Sequence, residues 1–338
     1  MRRDSGKSDS AVTICYRMRS RAEDVASVLQ TAGYQVSLRR DGPLNLGADG
    51  VMLLLGNANW YPVICRQLAA RPQSERPFTI VWHSEPLPPP AASGLPWPRL
   101  SLQEIGKILL RDATDSYTNY FRLRSLVRKG IPDVLVISTR GAQQFLAERG
   151  IAAHWAPLGY PPSYGRDLGL PRDIDVLFLG AFNIPRRRRL IDQLRRRGIN
   201  LLALGSRSNP DHWGENRTQL LNRTKILLNL QRSPGELSGM RFLLGMANRT
   251  LVISEPVYDS APYVPGKHYI SATIEEMPQI IRYYLAHEEE REKVAREGHR
   301  FVTQEMTLDR SVAQILELIS AQREQSLTNG SRELKGSR

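Results

Sequence analysis

Two short segments in the second half of the chain combine glycine, guanidinium groups and a carboxylate in a way that suits an anionic, hydroxyl-rich ligand. The first is Gly180-Ala181-Phe182-Asn183-Ile184-Pro185-Arg186-Arg187-Arg188-Arg189, which follows an apolar run and opens a helical one. Glycine lets a backbone approach a ligand closely, and a helix start favours anions, so arginines placed there can grip a diphosphate. Neighbouring helical residues point in different directions, so one or two arginines face a ligand and the rest meet solvent. A wholly solvated basic helix is the plainer alternative. The second segment is Ser233-Pro234-Gly235-Glu236-Leu237-Ser238-Gly239-Met240-Arg241. A carboxylate at Glu236 can accept hydrogen bonds from sugar hydroxyls while the helix start holds phosphate. The plainer reading makes Glu236 a solvent-facing loop residue and Ser238 a helix cap. The Asp173-Ile174-Asp175 pair precedes a strand and reads as a polar strand entrance, and no other metal-ligand spacing stands out.

The elements that must position these residues alternate between strand and helix. Apolar runs at 12–16, 51–55, 78–82 and 134–137 predict strands, with helices over 20–32, 62–70, 101–129 and 140–149. Tyr34–Leu38 can form a further strand after the helix stop at Gly33. Residues 155–172 are rich in Gly and Pro, carry little periodicity and read as an interdomain linker. The pattern then restarts, with strands at 176–179, 200–204, 226–230 and 251–253 and helices over 187–197, 215–224, 240–247, 275–298 and 309–323. Two such runs imply an α/β chain with two Rossmann-like doubly wound domains facing a cleft, in which ligands bind beyond the carboxyl ends of the strands. The predicted boundaries are a flexible 1–10, a first domain over 11–155, a linker to 172, a second domain over 173–305, a helix over 306–324 and a disordered tail over 325–338.

The 338 residues hold 47 Lys+Arg against 34 Asp+Glu, a formal charge of +13. Seven of the basic residues are lysine and 40 are arginine, whose planar fork suits phosphate. The charge draws nucleic acid, phosphorylated ligands or anionic membrane surfaces, or it merely solvates the surface. Cys15 and Cys65 are the only cysteines, which excludes a disulfide scaffold and a multi-cysteine metal site. No apolar run approaches the roughly 20 residues of a membrane span, and the basic start lacks a secretory h-region. A cytoplasmic protein, peripheral at the inner membrane face at most, is the expectation.

Over residues 155–305 the order of motifs resembles the two-domain glycosyltransferases of the GT-B class, glycosyl transferases group 1 type. That family carries a Glu-x7-Glu pattern, often written E-G-F-G-L-x-x-L-E-A-M-A. Glu236, Gly239, Met246 and Ala247 match it, Leu244 replaces the second glutamate, and Asn248-Arg249 stands where cysteine-glycine is usual. Leu251–Glu255, Tyr263-Val264-Pro265-Gly266-Lys267 and the helix at Ile281–Leu285 follow in the family's order. The Arg241-Phe242 pair, the Pro-Arg-Arg run after Gly180 and Pro157-Leu158-Gly159-Tyr160 are similar to the spore-maturation CgeB-like branch.

The resemblance implies a nucleotide-diphosphate sugar as donor substrate, no cofactor and no bound metal, and a retaining transfer. It assigns Glu236 to donor-sugar hydroxyls and Arg187 and Arg188 to the diphosphate, with Arg241 nearby and Gly180, Ser238 and Gly239 lining the same site. Leu244 cannot hold a ribose, so either that contact is missing or another residue supplies it; Glu255, eleven residues on at a strand end and outside the family's motif, is a candidate. The first domain then binds an acceptor (glycan, lipid, protein or small molecule). Its strand-end loops offer Asn57, Asn59, Trp60, His83, Ser84 and Glu85, of which Glu85 or His83 could orient or deprotonate an acceptor hydroxyl. They also serve as ordinary polar residues before the Pro86–Pro90 run. Cell-envelope or polysaccharide biosynthesis is the expected setting. The alternatives are a catalytically silent nucleotide-binding module, suggested by Leu244, and nucleic-acid binding through Arg186–Arg189 and Arg195–Arg197. Few aromatics interleave those arginines, which weighs against the latter.

Overall fold

A computed structural model describes residues 11–44, 50–95, 116–181, 184–205, 212–237 and 239–321. Over these residues the chain forms two compact units. One lies within Met1–Pro90, Arg99–Pro157 and Leu308–Arg338, the other within Ala91–Pro98 and Leu158–Thr307.

The first unit is built on six parallel strands: β1 (Ala11–Cys15), β2 (Gln35–Arg39), β3 (Val51–Leu55), β4 (Phe78–His83), β5 (Val134–Ile137) and β6 (His154–Trp155), in the order β2-β1-β3-β4-β5-β6. Crossovers between parallel strands need helices, and four are described: α1 (Arg19–Thr31), α2 (Pro62–Ala69), α3 (Ser116–Arg128) and α4 (Arg140–Ala147). β3 is buried at every position because helices cover both faces of a parallel sheet. On one face Leu54, Ile64, Leu68, Val81, Leu123 and Phe145 form a continuous core. The strand order reverses between β1 and β3. Tyr61, fully buried, fills that fork, its hydroxyl 2.8 Å from the Cys15 carbonyl and 2.6 Å from the Leu55 carbonyl.

The second unit repeats the plan with β7 (Ile174–Leu179), β8 (Leu201–Leu204), β9 (Thr224–Asn229), β10 (Leu251–Ser254) and β11 (Ile270–Ser271), all parallel in the order β11-β10-β9-β7-β8. Its helices are α5 (Pro185–Arg196), α6 (Gly214–Asn222), α7 (Gly239–Ala247), α8 (Met277–Ala286) and α9 (Glu288–Arg300). Alternate residues of β7 serve opposite faces. Val176 and Phe178 pack with Ile191, Leu194, Leu228 and Ile253, whereas Leu177 packs with Leu221, Leu227 and Leu244. Here the order reverses between β7 and β9, and the carboxyl ends of those strands mark the place where an open α/β sheet binds ligands. A last helix, α10 (308–321), belongs to the first unit. Val312, Ile315 and Ile319 are buried, and Gln314 donates to the Trp155 carbonyl at 3.0 Å.

Three expectations change. The helix expected over 275–298 is two, α8 and α9, broken at His287, whose ψ of 81° is not helical. Pro278 opens the first, and Glu288, Glu289 and Glu290 form the first turn of the second, where negative charge meets the positive helix end. Residues 158–172 are bound into the second unit rather than forming a free linker. The Arg172 guanidinium donates to the carbonyls of Thr224, Asn248 and Arg249, and the Leu168 amide donates to Asn222 Oδ1 at 2.6 Å. β6 and β11 are two residues long, too short for a hydrophobic run to announce them. The expected flexible ends over 1–10 and 325–338, and the helical reading at 101–115, lie outside the described residues. Among the described residues no helix is long and apolar enough to cross a membrane.

Candidate active site

The carboxyl ends of β7 and β9 are joined by side chains rather than left open. Gly180 follows β7 with a φ of 151°, and a Cβ there would stand 3.3 Å from Arg241 Nη2. Gly205, after β8, has a φ of 141°, and a Cβ on it would run into the Gly180 carbonyl. The two glycines let backbone pass between adjacent strand ends with no side chain in the way. Asn229 ends β9; its Nδ2 donates to Ser254 Oγ at 2.9 Å and its Oδ1 accepts from Arg241 Nη1 at 2.6 Å.

Three arginines converge on this edge. Arg186 and Arg187 occupy the first turn of α5, and Arg241 lies in the first turn of α7. Arg187 is 2% exposed; its Nε donates to the Leu230 carbonyl at 2.9 Å and its Nη1 to the Ala181 carbonyl at 3.3 Å. Arg241 is 8% exposed and ties the two strand ends together, donating to the carbonyls of Leu179 at 3.2 Å and Leu230 at 3.1 Å as well as to Asn229. Burial, reinforced by the neighbouring Arg232, pushes Arg187 down to about 10, and burial beside Arg187 pushes Arg241 down to about 9. Both stay charged at neutral pH, in a setting where positive charge is crowded and desolvated.

Glu236 is half-buried on the loop between β9 and α7, and its negative charge favours the charged forms of Arg187 and Arg241. Its Oε2 accepts from the Ser233 amide at 3.3 Å, which closes the loop on itself. Gly239 opens α7 with open space around it. Ser238 lies outside the described residues. Leu244 is buried against Leu177, Leu221 and Leu227, so a carboxylate at that position would be sealed in an apolar core. Glu255 is brought to the same edge, beyond β10, with its carboxylate already engaged: Arg186 Nη1 and the Gln231 amide donate to Oε2 at 2.9 and 2.8 Å, and Arg186 Nη2 donates to Oε1. Arg188 is exposed, so the first turn of α5 turns Arg186 and Arg187 inward and Arg188 out.

Two residues of this edge escape a reading of the sequence. Arg186 is one of four consecutive arginines, and which of them turns inward depends on the length of the preceding loop. Gln231 is 1% exposed and holds the glycine loop in place. Its Nε2 donates to the carbonyls of Glu255 and Pro256 at 3.1 and 3.0 Å, and its Oε1 accepts from the Gly235 amide at 2.7 Å. The signal for it is a polar side chain directly after the predicted strand 226–230.

In the first unit, His83 is the last residue of β4, 1% exposed, with burial holding its ring down to about 4. It is therefore a neutral imidazole and a weak base, better suited to orienting a hydroxyl than to deprotonating it. Ser84 accepts from Arg21 Nη1 at 3.1 Å, and Glu85 is half-buried on the same loop. Asn57 Nδ2 and Asn59 Nδ2 both point to Asn119 Oδ1, at 2.5 and 3.4 Å. Asp173 and Asp175 pair with Arg223 and Lys225 at the amino end of β7, as a polar strand entrance should.

Residues 186–317 match the family described as glycosyl transferase-like. No curated protein matches the chain. Among solved structures, HepE from Anabaena in complex with UDP and glucose superposes with a TM-score of 0.58 at 12% identity, over 92% of this chain and 100% of that one. A glycosyltransferase from Rickettsia africae gives 0.56 at 12% identity, over 93% of this chain and 98% of that one. TarM gives 0.56 at 10% identity, over 80% of this chain and 55% of that one. At such identities the likeness is one of fold, and it agrees with the two parallel sheets and their reversal points. Residues 186–317 thus carry the glycosyl transferase-like match within a chain that has the GT-B fold of these glycosyltransferases.

Proposed function

We propose that the chain transfers a sugar from a nucleotide diphosphate to an acceptor hydroxyl, with retention at the anomeric carbon and without a bound metal. The observation that carries this reading is the convergence of Arg186, Arg187 and Arg241 on the glycine-lined carboxyl edge of β7 and β9, with Glu236 beside them. A diphosphate is the ligand that such crowded, desolvated positive charge favours. HepE, of the same fold, was solved with UDP and with UDP-glucose, which supports a nucleotide sugar here.

In this reading Arg186 and Arg187 meet the phosphate oxygens while Arg241, bonded on three sides, holds the two strand ends at fixed spacing. Glu236 accepts hydrogen bonds from the donor sugar. As the bond between the anomeric carbon and the diphosphate breaks, its electron pair passes to the phosphate oxygen. Charge grows where the guanidinium groups already stand, so they stabilise the transition state more than the ground state. The acceptor oxygen bonds the anomeric carbon from the face that the diphosphate leaves, and its proton passes to the departing phosphate. Glu255 positions Arg186 through their ion pair. Its two oxygens are taken up by Arg186 and Gln231, so a ribose-binding role would require Arg186 to release it.

The test is ligand-linked stability followed by turnover. UDP and UDP-glucose should raise the melting temperature progressively with concentration, because only the native state binds them. Glu236→Gln should keep the UDP shift and lower the rate of UDP release from UDP-glucose by about a hundredfold or more. A chelator should leave that rate unchanged. A wild-type chain that no nucleotide diphosphate stabilises, or a Glu236→Gln variant with full turnover, would remove the proposal.

A further inference from the structure

The carboxyl edge of the first sheet carries a second concentration of polar groups. Among the described residues, Arg21 Nη2, Trp60 Nε1 and Thr118 Oγ1 are buried without a hydrogen-bond partner, and the buried His83 ring has no more than the Glu85 backbone to bond. Buried polar atoms in native proteins are nearly always satisfied, so such a set at one edge calls for a ligand-side explanation. They come from four elements that the fold binds together. Arg21 on α1 reaches Ser84, next to His83, at 3.1 Å. Asn119, next to Thr118 on α3, donates to the Pro86 carbonyl at 2.8 Å. Asn57 and Asn59, just before Trp60, point to that same Asn119. His83 is two residues from Val81 and so shares its face of the sheet, the face on which Tyr120 and Leu123 of α3 also pack.

The chemistry of the set is one-sided. Arg21 and Trp60 only donate, and the neutral His83 ring and the Thr118 hydroxyl each add one donor and an acceptor. Arg21 brings a fixed positive charge and makes no ion pair among the described residues. Arg17 lies over the Trp60 ring, 5.3 Å from its centroid, and adds a second cation nearby. A neutral sugar would leave this charge and most of these donors without a matching acceptor. We propose that the carboxyl edge of the first sheet binds an anionic sugar, with Arg21 and Trp60 taking its carboxylate or phosphate and His83 and Thr118 its hydroxyls. As a statement about the acceptor this rests on the sugar-transfer reading above; as a statement about binding it stands without it.

The test titrates the full chain with glucuronate, glucose 6-phosphate, glucose and inorganic phosphate, following tryptophan fluorescence and the melting temperature, with UDP measured in parallel. The expected result is saturable binding of glucuronate or glucose 6-phosphate at least tenfold tighter than glucose or inorganic phosphate. Arg21→Gln should weaken that binding about tenfold, and Thr118→Val should weaken it less. Both should leave the UDP shift unchanged, which shows that the second unit is intact. The response of one acid and not the other distinguishes carboxylate from phosphate. Equal affinity for glucose, binding of inorganic phosphate alone, full binding by Arg21→Gln, or no binding by any probe would each overturn the proposal. A missing UDP response would instead count against the donor reading and leave the anionic-sugar result to be judged on its own arms.

Discussion

His83 shows what burial does to a single titratable side chain at the end of a strand. Its ring is held down to about 4 by desolvation, well below the ordinary histidine value near 6.5. The folded chain therefore binds fewer protons at this site than the unfolded chain between those two pH values, so stability rises with pH across that window and falls as acid is added. The full effect of such a shift is roughly 3 kcal/mol, lost between about pH 6.5 and pH 4. His83→Asn should flatten this part of the stability profile in urea titrations at successive pH values, and an unchanged acid slope would show that the ring is not sealed from water. Arg187 and Arg241 are depressed by the same cause, but they titrate far above neutrality and leave the acid side untouched. Cys15 and Cys65, with thiols pushed up to about 12 by burial, are core residues rather than nucleophiles.

At the scale of elements, α7 illustrates both what the sequence discloses and what it hides. The family pattern predicts a loop, a helix and a stop, and the helix runs from Gly239 to Ala247 as that pattern requires. The stop places Arg249 at a φ of 51°, the left-handed conformation that the family's glycine adopts without strain. Here Arg249 is held by ion pairs to Asp167 at 3.0 Å and Glu292 at 3.2 Å. Arg249→Ala loses the pairs and keeps the strain, whereas Arg249→Gly loses the pairs and relieves it. Alanine should thus be the more destabilising by about 1 kcal/mol in denaturant melts, and equal stabilities would deny the strain. Glu236, Gly180 and Arg187 were legible because strand-end loops with glycine and charge are where this topology binds ligands. Arg186 was not, since its inward turn is set by helix phase. Gln231 was not, because a positioning side chain obeys no motif. The break at His287 had a trace in Pro278 and the Glu288–Glu290 run, which suit two helix starts better than one continuous helix.

For the whole molecule, the chain does not divide at a single point in the sequence. Alternating strands and helices foretold two sheets, but residues 91–95 belong with the second unit and α10 with the first. No local pattern announces either exchange, because both depend on which surface a segment covers rather than on its own periodicity. The consequence is testable by truncation after Thr307. Val312, Ile315 and Ile319 are 3%, 4% and 8% exposed, and removing three such side chains sacrifices about 5–9 kcal/mol of apolar burial. That loss is comparable to the entire stability of a domain. Truncation should therefore strip hydrogen-exchange protection from β1 to β6 while β7 to β11 stay protected and the UDP response survives, since every arginine of the candidate donor site precedes the cut. Loss of protection in β7 and β9 together with β1 and β3 would mean that the two sheets fold as one cooperative unit, and the donor site would then depend on a helix that contributes none of its residues.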